Sequence, residues 1–338
     1  MLILGIESSC DDTGAAVVED GGILRSSVVS SQDAIHAKYG GIVPELASRR
    51  HIEMIIPVVD EALKQASVAI EEIDGVAVTQ GPGLAGSLLV GLSFAKSLSY
   101  ARAIPITGVN HIEAHVMAAF LHKSGGKGTD VPAFPFVALI VSGGHTTLLH
   151  VKDFTRCEII GHTVDDAAGE AFDKVAKLLG LGYPGGLAID RLAKDGNPSF
   201  VEFTRPYMAK GNLNFSFSGV KTAVLTYVKG RNGGLPPEIL KDLAASFQET
   251  VVDVLISKAM RAVGAVNSKT LVLAGGVACN SRLRAKLTAE AGKQGLRLFI
   301  PEPHLCSDNG AMIASLGYHQ IKKGSKAGLD LNAKPNWD

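Results

Sequence analysis

One order of secondary-structure elements occurs twice along this chain, and that repetition limits the fold more than any single motif does. The first part gives apolar strands at 2–8, 15–19 and 23–30, then a long amphipathic helix within 45–66. A strand at 75–80, a helix from about Gly86 to Ala101, a strand at 105–110 and a helix opened by His111 follow. In the long helix Leu46, Ile52, Ile55, Val59 and Leu63 keep helical spacing, which predicts a core-facing stripe. The order then returns with strands at 136–142, 146–151 and 157–164 and a helix from about Asp165 to Leu179. A helix at 240–263, a strand at 270–276, a helix from Asn280, a strand at 296–301 and a helix after Ser307 complete it. Each half reads βββαβαβα, and the second carries an insertion at about 183–240 rich in Gly, Pro and aromatic residues. Residues 121–130 are Gly- and Lys-rich without apolar period and read as a linker. The expectation is an α/β protein of two duplicated lobes, 1–130 and 131–338, facing each other across a cleft. The last helix, about 307–325, is expected between the lobes or on the first.

With 338 residues and 46% hydrophobic content, the chain has material for about two domains with sizeable cores. Its 33 Lys and Arg balance 33 Asp and Glu, so no global basic field attracts nucleic acid. Such contact needs a partner or local groups, for which Arg49, Arg50, Lys210, Lys221, Arg282 and Arg284 are candidates. The longest apolar run, 131–141, contains two prolines and is too short to span a bilayer. The first residues lack a basic region and a separate apolar stretch, so no secretory leader is expected, and Glu7 argues against a lipoprotein role for Cys10. Cys10, Cys157, Cys279 and Cys306 are scattered and form no C-x-x-C pair, which predicts a reduced cytosolic protein or an organelle-matrix one; with the short apolar run, no membrane partner is expected.

"NHIEAH" places His111 and His115 four apart, on one face of a helix, where two imidazoles can share a divalent metal. A structural histidine pair is the plainer alternative. In H-E-x-x-H metalloproteases the Glu directly follows the first His; here Ile112 holds that place and Glu113 comes one residue later, about 100° further round the helix. The spacing therefore supports a metal but not that mechanism. Catalytic sites commonly have three protein ligands, and the repeat proposes the third. Asp308 follows the last strand of the second half as His111 follows the last strand of the first, and a pseudo-two-fold would bring them together across the cleft. Asp308 could equally cap the helix it precedes. Two imidazoles and a carboxylate suit Fe or Zn.

"VSGGHTT" is a strand, a Gly-Gly turn and a second strand, in which backbone N–H groups can approach a phosphate and Ser142 and His145 can add donors. An ordinary hairpin turn reads the same way. "IESSCDDT" is the equivalent turn of the first half, made acidic by Asp11 and Asp12; phosphate binding there requires the metal or the serines to offset repulsion. Asp11 is a candidate for acid–base or metal-orienting work. "LAGGVACN" ends a strand at Gly275 and Gly276 with Asn280 near a helix start, suited to close approach of an adenosine or to simple capping. "GPGLAGSLLVG" lacks a Lys at Walker spacing, so Gly86, Ser87 and Gly91 are read as close-packing residues.

Together with "DDAAGEAFDK", "NFSFSGVKT" and "CSDNGAMIA", these motifs resemble, in order and from residue 2 to about 320, the TsaD family of tRNA threonylcarbamoyladenosine biosynthesis proteins, once described as O-sialoglycoprotein endopeptidases. The resemblance implies an actin, sugar kinase and Hsp70-like (RNase H-like) fold around a nucleotide cleft. It implies a metal on His111, His115 and Asp308, with Fe2+ favoured over Zn2+. Asp173, Gly186, Asp190 and Asn280 become nucleotide or ribose contacts, and Val141, Ser142, Gly143, Gly144 and His145 substrate contacts. The implied reaction moves a threonylcarbamoyl group from threonylcarbamoyl-AMP to the exocyclic amine of the adenosine 3′ of the anticodon, in tRNAs reading ANN codons. AMP or ATP could occupy the cleft. Implied partners are tRNA, a TsaB-like paralogue on the first-lobe helices, a TsaE-like ATPase and a TsaC-like synthase supplying the adenylate. A kinase or ATPase of the same superfold is the main alternative; a metalloendopeptidase and a non-catalytic scaffold rank lower.

Overall fold

Strands whose two faces are both covered read as unbroken apolar runs, and "LILGI" and "GVAV" are such runs. The computed structural model describes residues 1–123, 130–207, 211–231 and 235–337; Lys210 and most of the proposed linker lie outside them. The chain divides into two units, one of residues 1–131, 153–156 and 307–338, the other of residues 132–152 and 157–306.

In the first unit β1 (Leu2–Glu7), β2 (Asp12–Glu19) and β3 (Ile23–Ser31) form an antiparallel meander. After the short α1 (Asp33–His36) comes α2 (Pro44–Ala66), then β4 (Gly75–Gly81), α3 (Ala85–Arg102), β5 (Ile106–Asn110), α4 (His111–Met117) and the edge strand β6 (His122–Lys123). The sheet order is β5-β4-β1-β2-β3-β6, with β4 and β5 parallel to β1. Strand β2 begins earlier than apolar content predicts, because Asp12 and Thr13 pair with Ser31 and Ser30 in a polar extension of the ladder. Helix α2 turns Ala47, His51, Ile55, Val58, Val59 and Ala62 to the core. Ile52, expected in that stripe, lies on the neighbouring one and is 65% exposed, as Ile56 is at 64%. Gly86 and Gly91 serve packing, as expected. A Cβ on Gly86 would lie 2.5 Å from Ser48 Oγ, and one on Gly91 2.4 Å from Ser8 Oγ.

In the second unit β7 (Phe136–Val141), β8 (Thr146–Asp153) and β9 (Arg156–His162) again form the meander. They lead into α5 (Ala168–Leu178), α6 (Gly185–Ala193), α7 (Ser218–Lys229) and α8 (Pro237–Ala265). Strand β10 (Thr270–Ala274), α9 (Ser281–Lys293), β11 (Arg297–Phe299) and the short α10 (Pro303–Cys306) follow. The order β11-β10-β7-β8-β9 reproduces β5-β4-β1-β2-β3 strand for strand, the repetition read from the sequence. The insertion supplies α6 and α7, and its Phe215 and Phe217 join Phe172 and Phe247 in the core. Lys258, fully buried on α8, donates from Nζ to the carbonyls of Tyr207 (2.8 Å) and Asn212 (2.5 Å), which satisfies two of its ammonium donors.

The last helix, α11 (Gly310–Lys322), belongs to the first unit and packs on β1, β2, β4, β5 and α4. Two glycines permit the approach. A Cβ on Gly5 would sit 2.1 Å from Gly310 O, and one on Gly310 would sit 2.6 Å from Gly5 O. Asn309 caps α11 by accepting from Met312 N at 3.0 Å, so the capping role considered for Asp308 falls to its neighbour.

Candidate functional site

Asn110 ends β5 and caps α4, its Oδ1 accepting from Ile112 N at 2.9 Å and Glu113 N at 3.2 Å. This makes His111 the first helical residue and places His115 one turn on, with ring centroids 4.8 Å apart. Asp308 Oδ1 lies 3.5 Å from His111 Nε2 and 3.3 Å from His115 Nε2. One donor atom from each of the three residues falls within 4.8 Å of the others. Asp308 arrives by a different route from the one the repeat suggests. It stands just before α11 and therefore within the same unit as the histidines, so no meeting across a cleft is involved.

Behind His111 stands Glu7, which apolar patterning passes over because it ends a buried strand. Its Oε2 is 2.9 Å from His111 Nδ1 and accepts from Thr79 Oγ1 at 2.7 Å, while Oε1 accepts from Ser9 N at 2.5 Å. Burial pushes the Glu7 carboxyl up, but His111 outweighs it and holds the group below its usual range. Burial likewise lowers His111, and Asp308 with Glu7 overcomes this, raising the imidazole to about 9. His115 is fully buried, and neither ring nitrogen has a hydrogen-bond partner among the described residues. A buried imidazole left in this state beside a carboxylate and a second imidazole fits a metal-ligand set, since orphaned buried polar atoms are costly otherwise.

Asp11 and Asp12 lie at the β1–β2 turn. Burial raises both carboxyls and Asp308 adds to it, Asp12 reaching about 8. The serine side chains of this turn are engaged within the protein. Ser8 Oγ donates to Ser87 O at 2.9 Å, and Ser9 Oγ is 3.3 Å from His111 Nδ1. Ser9 thus joins Glu7 at the Nδ1 side of His111.

The second unit holds a cavity of ≈ 280 Å³. Of the nucleotide candidates, Gly143, Asp173, Gly186, Asp190, Gly276 and Asn280 line it. Val141, Ser142, Gly144, His145 and Gly275 are not among its lining residues, and Phe172, Pro184, Leu187 and Cys279 line it without having been singled out. Asp190 Oδ1 accepts from Ser281 N (3.1 Å) and Oγ (2.8 Å), tying α6 to the start of α9. Asn280 caps α9 through Leu283 N at 2.9 Å and donates to Gln248 Oε1 at 2.7 Å. Asp173 Oδ1 accepts from Gly185 N at 2.8 Å. In the VSGGH turn, Ser142 N donates to His145 O at 2.8 Å and His145 N to Ser142 Oγ at 3.2 Å, a tight hairpin. A Cβ at Gly143 or Gly144 would meet nothing within 4 Å, so packing does not demand glycine there. Gly275, at φ +92°, is required instead by Val141, whose O would lie 2.4 Å from its Cβ.

The local basic candidates are mostly committed. Arg49 pairs with Glu45, Arg50 with Glu53, Lys221 with Asp166 and Arg282 with Glu249. Arg284 turns inward to the carbonyls of Ala278 and Pro301.

Two sheets that share one five-strand order define a duplicated α/β protein of the actin, sugar kinase and Hsp70 class. Solved structures agree on the fold. HypF from T. kodakarensis superposes with a TM-score of 0.62 at 14% identity, over 95% of this chain and 48% of that one. The activator of 2-hydroxyisocaproyl-CoA dehydratase from Clostridium difficile, solved with bound ADPNP, gives 0.54 at 14% identity over 96% and 97%. The chain belongs to the TsaD family, tRNA N6-adenosine threonylcarbamoyltransferase, whose sequence model matches residues 23–315. The curated proteins of that name from Geobacter sulfurreducens and Geotalea uraniireducens are 55% and 54% identical to it, covering 100% of this chain and 97% and 96% of theirs.

Proposed function

We infer that this chain transfers a threonylcarbamoyl group from threonylcarbamoyl-AMP to N6 of the adenosine 3′ of the anticodon, in tRNAs reading ANN codons. Full-length identity to the threonylcarbamoyltransferases carries the reading. It also sets aside the kinase and endopeptidase alternatives, and the protease arrangement already lacked its adjacent Glu. The acceptor amine is a weak nucleophile because its lone pair is delocalised into the purine. In the reaction the C–N bond forms, the bond from the carbamoyl carbon to the phosphate oxygen breaks, AMP departs and the amine loses a proton.

His111, His115 and Asp308 would hold one divalent ion, Fe2+ in preference to Zn2+. Bound there, the ion supplies Lewis-acid polarisation of the carbamoyl oxygen. Glu7 fixes the His111 ring and keeps its Nδ1 side occupied, so that Nε2 is turned toward Asp308. Asp11 takes the amine proton, and burial with Asp308 nearby raises its carboxyl towards the basicity this needs. The second-unit cavity takes the adenylate: Asp173 and Asp190 accept from ribose hydroxyls, Gly186, Gly276 and Asn280 flank the nucleoside, and the VSGGH turn approaches the phosphate. AMP or ATP competes for the same cavity. The acceptor base lies in a single-stranded loop and can be splayed into a pocket.

With few uncommitted basic groups among those considered, tRNA capture relies on partners. The exposed pair Ile52 and Ile56 on α2, with Leu89 on α3, suits the helical face of a TsaB-like paralogue. A TsaE-like ATPase and a TsaC-like synthase complete the system. No helix among the described residues is long and apolar enough to cross a membrane, and the cytoplasm, where the substrate tRNA resides, is the proposed compartment. Incubation with unmodified tRNA and threonylcarbamoyl-AMP, with and without the partners, followed by nucleoside digestion, tests the reading. N6-threonylcarbamoyladenosine is expected. ADP release from ATP regardless of tRNA, with no modified nucleoside, would refute it.

A further inference from the structure

Neither the metal cluster nor the adenylate reading uses the cysteines of the second unit, yet two of them are brought together there. Cys279 closes the turn Gly276–Cys279 and lines the cavity; Cys306 closes α10 and is fully buried. Their thiols are within hydrogen-bonding reach of each other. The surrounding frame holds them in that relation. Cys279 Sγ donates to Pro303 O at 3.6 Å and Cys306 Sγ to Pro301 O at 3.5 Å. Arg284 bridges the two segments, donating from Nε to Ala278 O at 2.5 Å and from Nη2 to Pro301 O at 2.9 Å and Cys306 Sγ at 3.3 Å.

We propose that Cys279 and Cys306 form a hydroperoxide-reactive dithiol, with Cys279 the attacking sulfur and Cys306 the resolving one, closing to an intramolecular disulfide in the wall of the second-unit cavity. The roles follow from access. Cys279 is exposed where a small peroxide can enter, and Cys306 is buried behind it in the protein. The Cys306 thiol beside it and the Arg284 guanidinium outweigh burial and hold the Cys279 thiol below its ordinary value, the direction that favours a reactive thiolate. Cys10 is the contrary case, its thiol pushed up by burial and by Asp11 and Asp308.

The chemistry balances with a hydroperoxide, ROOH, as the oxidant. The Cys279 sulfur attacks the terminal oxygen, the O–O bond breaks, and ROH leaves with the proton Cys279 has lost, giving the sulfenic acid. The Cys306 sulfur then attacks the Cys279 sulfur, the S–S bond forms and the S–O bond breaks. The hydroxyl leaves as water with the Cys306 proton. Two thiols and ROOH become a disulfide, ROH and water, and a dithiol reductant reverses the change.

The test treats the full reduced chain with hydrogen peroxide and maps its thiols by peptide mass spectrometry. The expected product is a peptide pair joined through Cys279 and Cys306, lost on adding dithiothreitol, with Cys157 still free. Cys306→Ser should leave the sulfenic acid unresolved, so that dimedone labels Cys279 about tenfold more than in the unmodified chain. Cys279→Ser should abolish both the linked peptide and fast peroxide consumption. The proposal fails if Cys279 oxidises no faster than Cys157, if Cys306→Ser leaves dimedone labelling unchanged, or if the disulfide joins Cys279 residues of two chains.

Discussion

Glu7 Oε2 lies 2.9 Å from His111 Nδ1, so a carboxylate at the end of a buried strand sets the orientation of an imidazole on a helix far along the chain. Glu7 is itself held by Thr79 Oγ1 and by Ser9 N. The result is a fixed ring whose other nitrogen looks toward Asp308.

Glu7→Gln keeps the shape of that arrangement but removes the charge. Partners of metal-bound histidines typically contribute 10–100-fold to affinity, and a loss of about that size is expected here. Titration with Co2+, followed by its visible absorption, reads the change directly. Binding as tight as in the unsubstituted chain would mean that Glu7 does not act on the ligand set.

Gly5→Ala should disturb the same cluster from behind. Its Cβ would fall 2.1 Å from Gly310 O, and backbone has to move. Overpacking of this kind costs about 1–3 kcal/mol. Urea unfolding should show that loss, and Co2+ affinity should drop with it because α11 carries Asp308. Unchanged stability would contradict the close packing of α11 on β1.

The second unit should be acid-sensitive through Glu249. Burial opposes its ionisation, but hydrogen bonds from Arg282 and Lys286 bring the carboxyl down to about 2 from 4.5. Lys286 also contacts Asp253, which Arg205 holds from the other side at 2.8 Å. A depressed carboxyl stabilises the fold fully above its unfolded pKa and loses that contribution as pH falls through the folded value. The window is therefore pH 4.5 to 2, and with the pair partly open to solvent the contribution is on the order of 1 kcal/mol. Glu249→Gln should flatten the stability–pH curve in that window; a curve of unchanged slope would exclude Glu249 as its source.

Ile56→Glu tests the exposed face of α2. Because the side chain is 64% exposed, folding stability should shift by no more than about 0.5 kcal/mol. Binding of a TsaB-like partner should weaken by at least about tenfold, as measured by titration calorimetry, if this apolar pair lies within the interface. Unaltered binding would move the interface elsewhere.

The parts of this fold most legible in sequence are those with a period. The i, i+4 spacing of His111 and His115 needs only a helix, and the meander-then-crossover order recurs in both sheets because each half repeats the same alternation of apolar runs. Equivalence between the halves points to Asp308, and the residue does stand beside both histidines, but its path is another one. The deciding feature was steric: glycines at 5 and 310 let α11 settle on the first sheet, and apolar period carries no trace of that. Glu7 was missed because a carboxylate at the end of an apolar strand looks like the strand's solvent edge, whereas it is fully buried. Ile52 was read as core because spacing marks a face only to within a residue or so, and His51 takes the inward position through Thr13 and Cys10. The cavity wall at Phe172 and Cys279 is assembled from separated segments with no common spacing to give it away.

The most direct measurement is metal content and transfer activity, determined side by side on the unsubstituted chain and on a His111→Ala, His115→Ala double variant of unaltered circular dichroism. The account predicts close to one bound divalent ion and N6-threonylcarbamoyladenosine formation in the first, and loss of both together in the second. A double variant that binds no metal yet modifies tRNA at the full rate would contradict it.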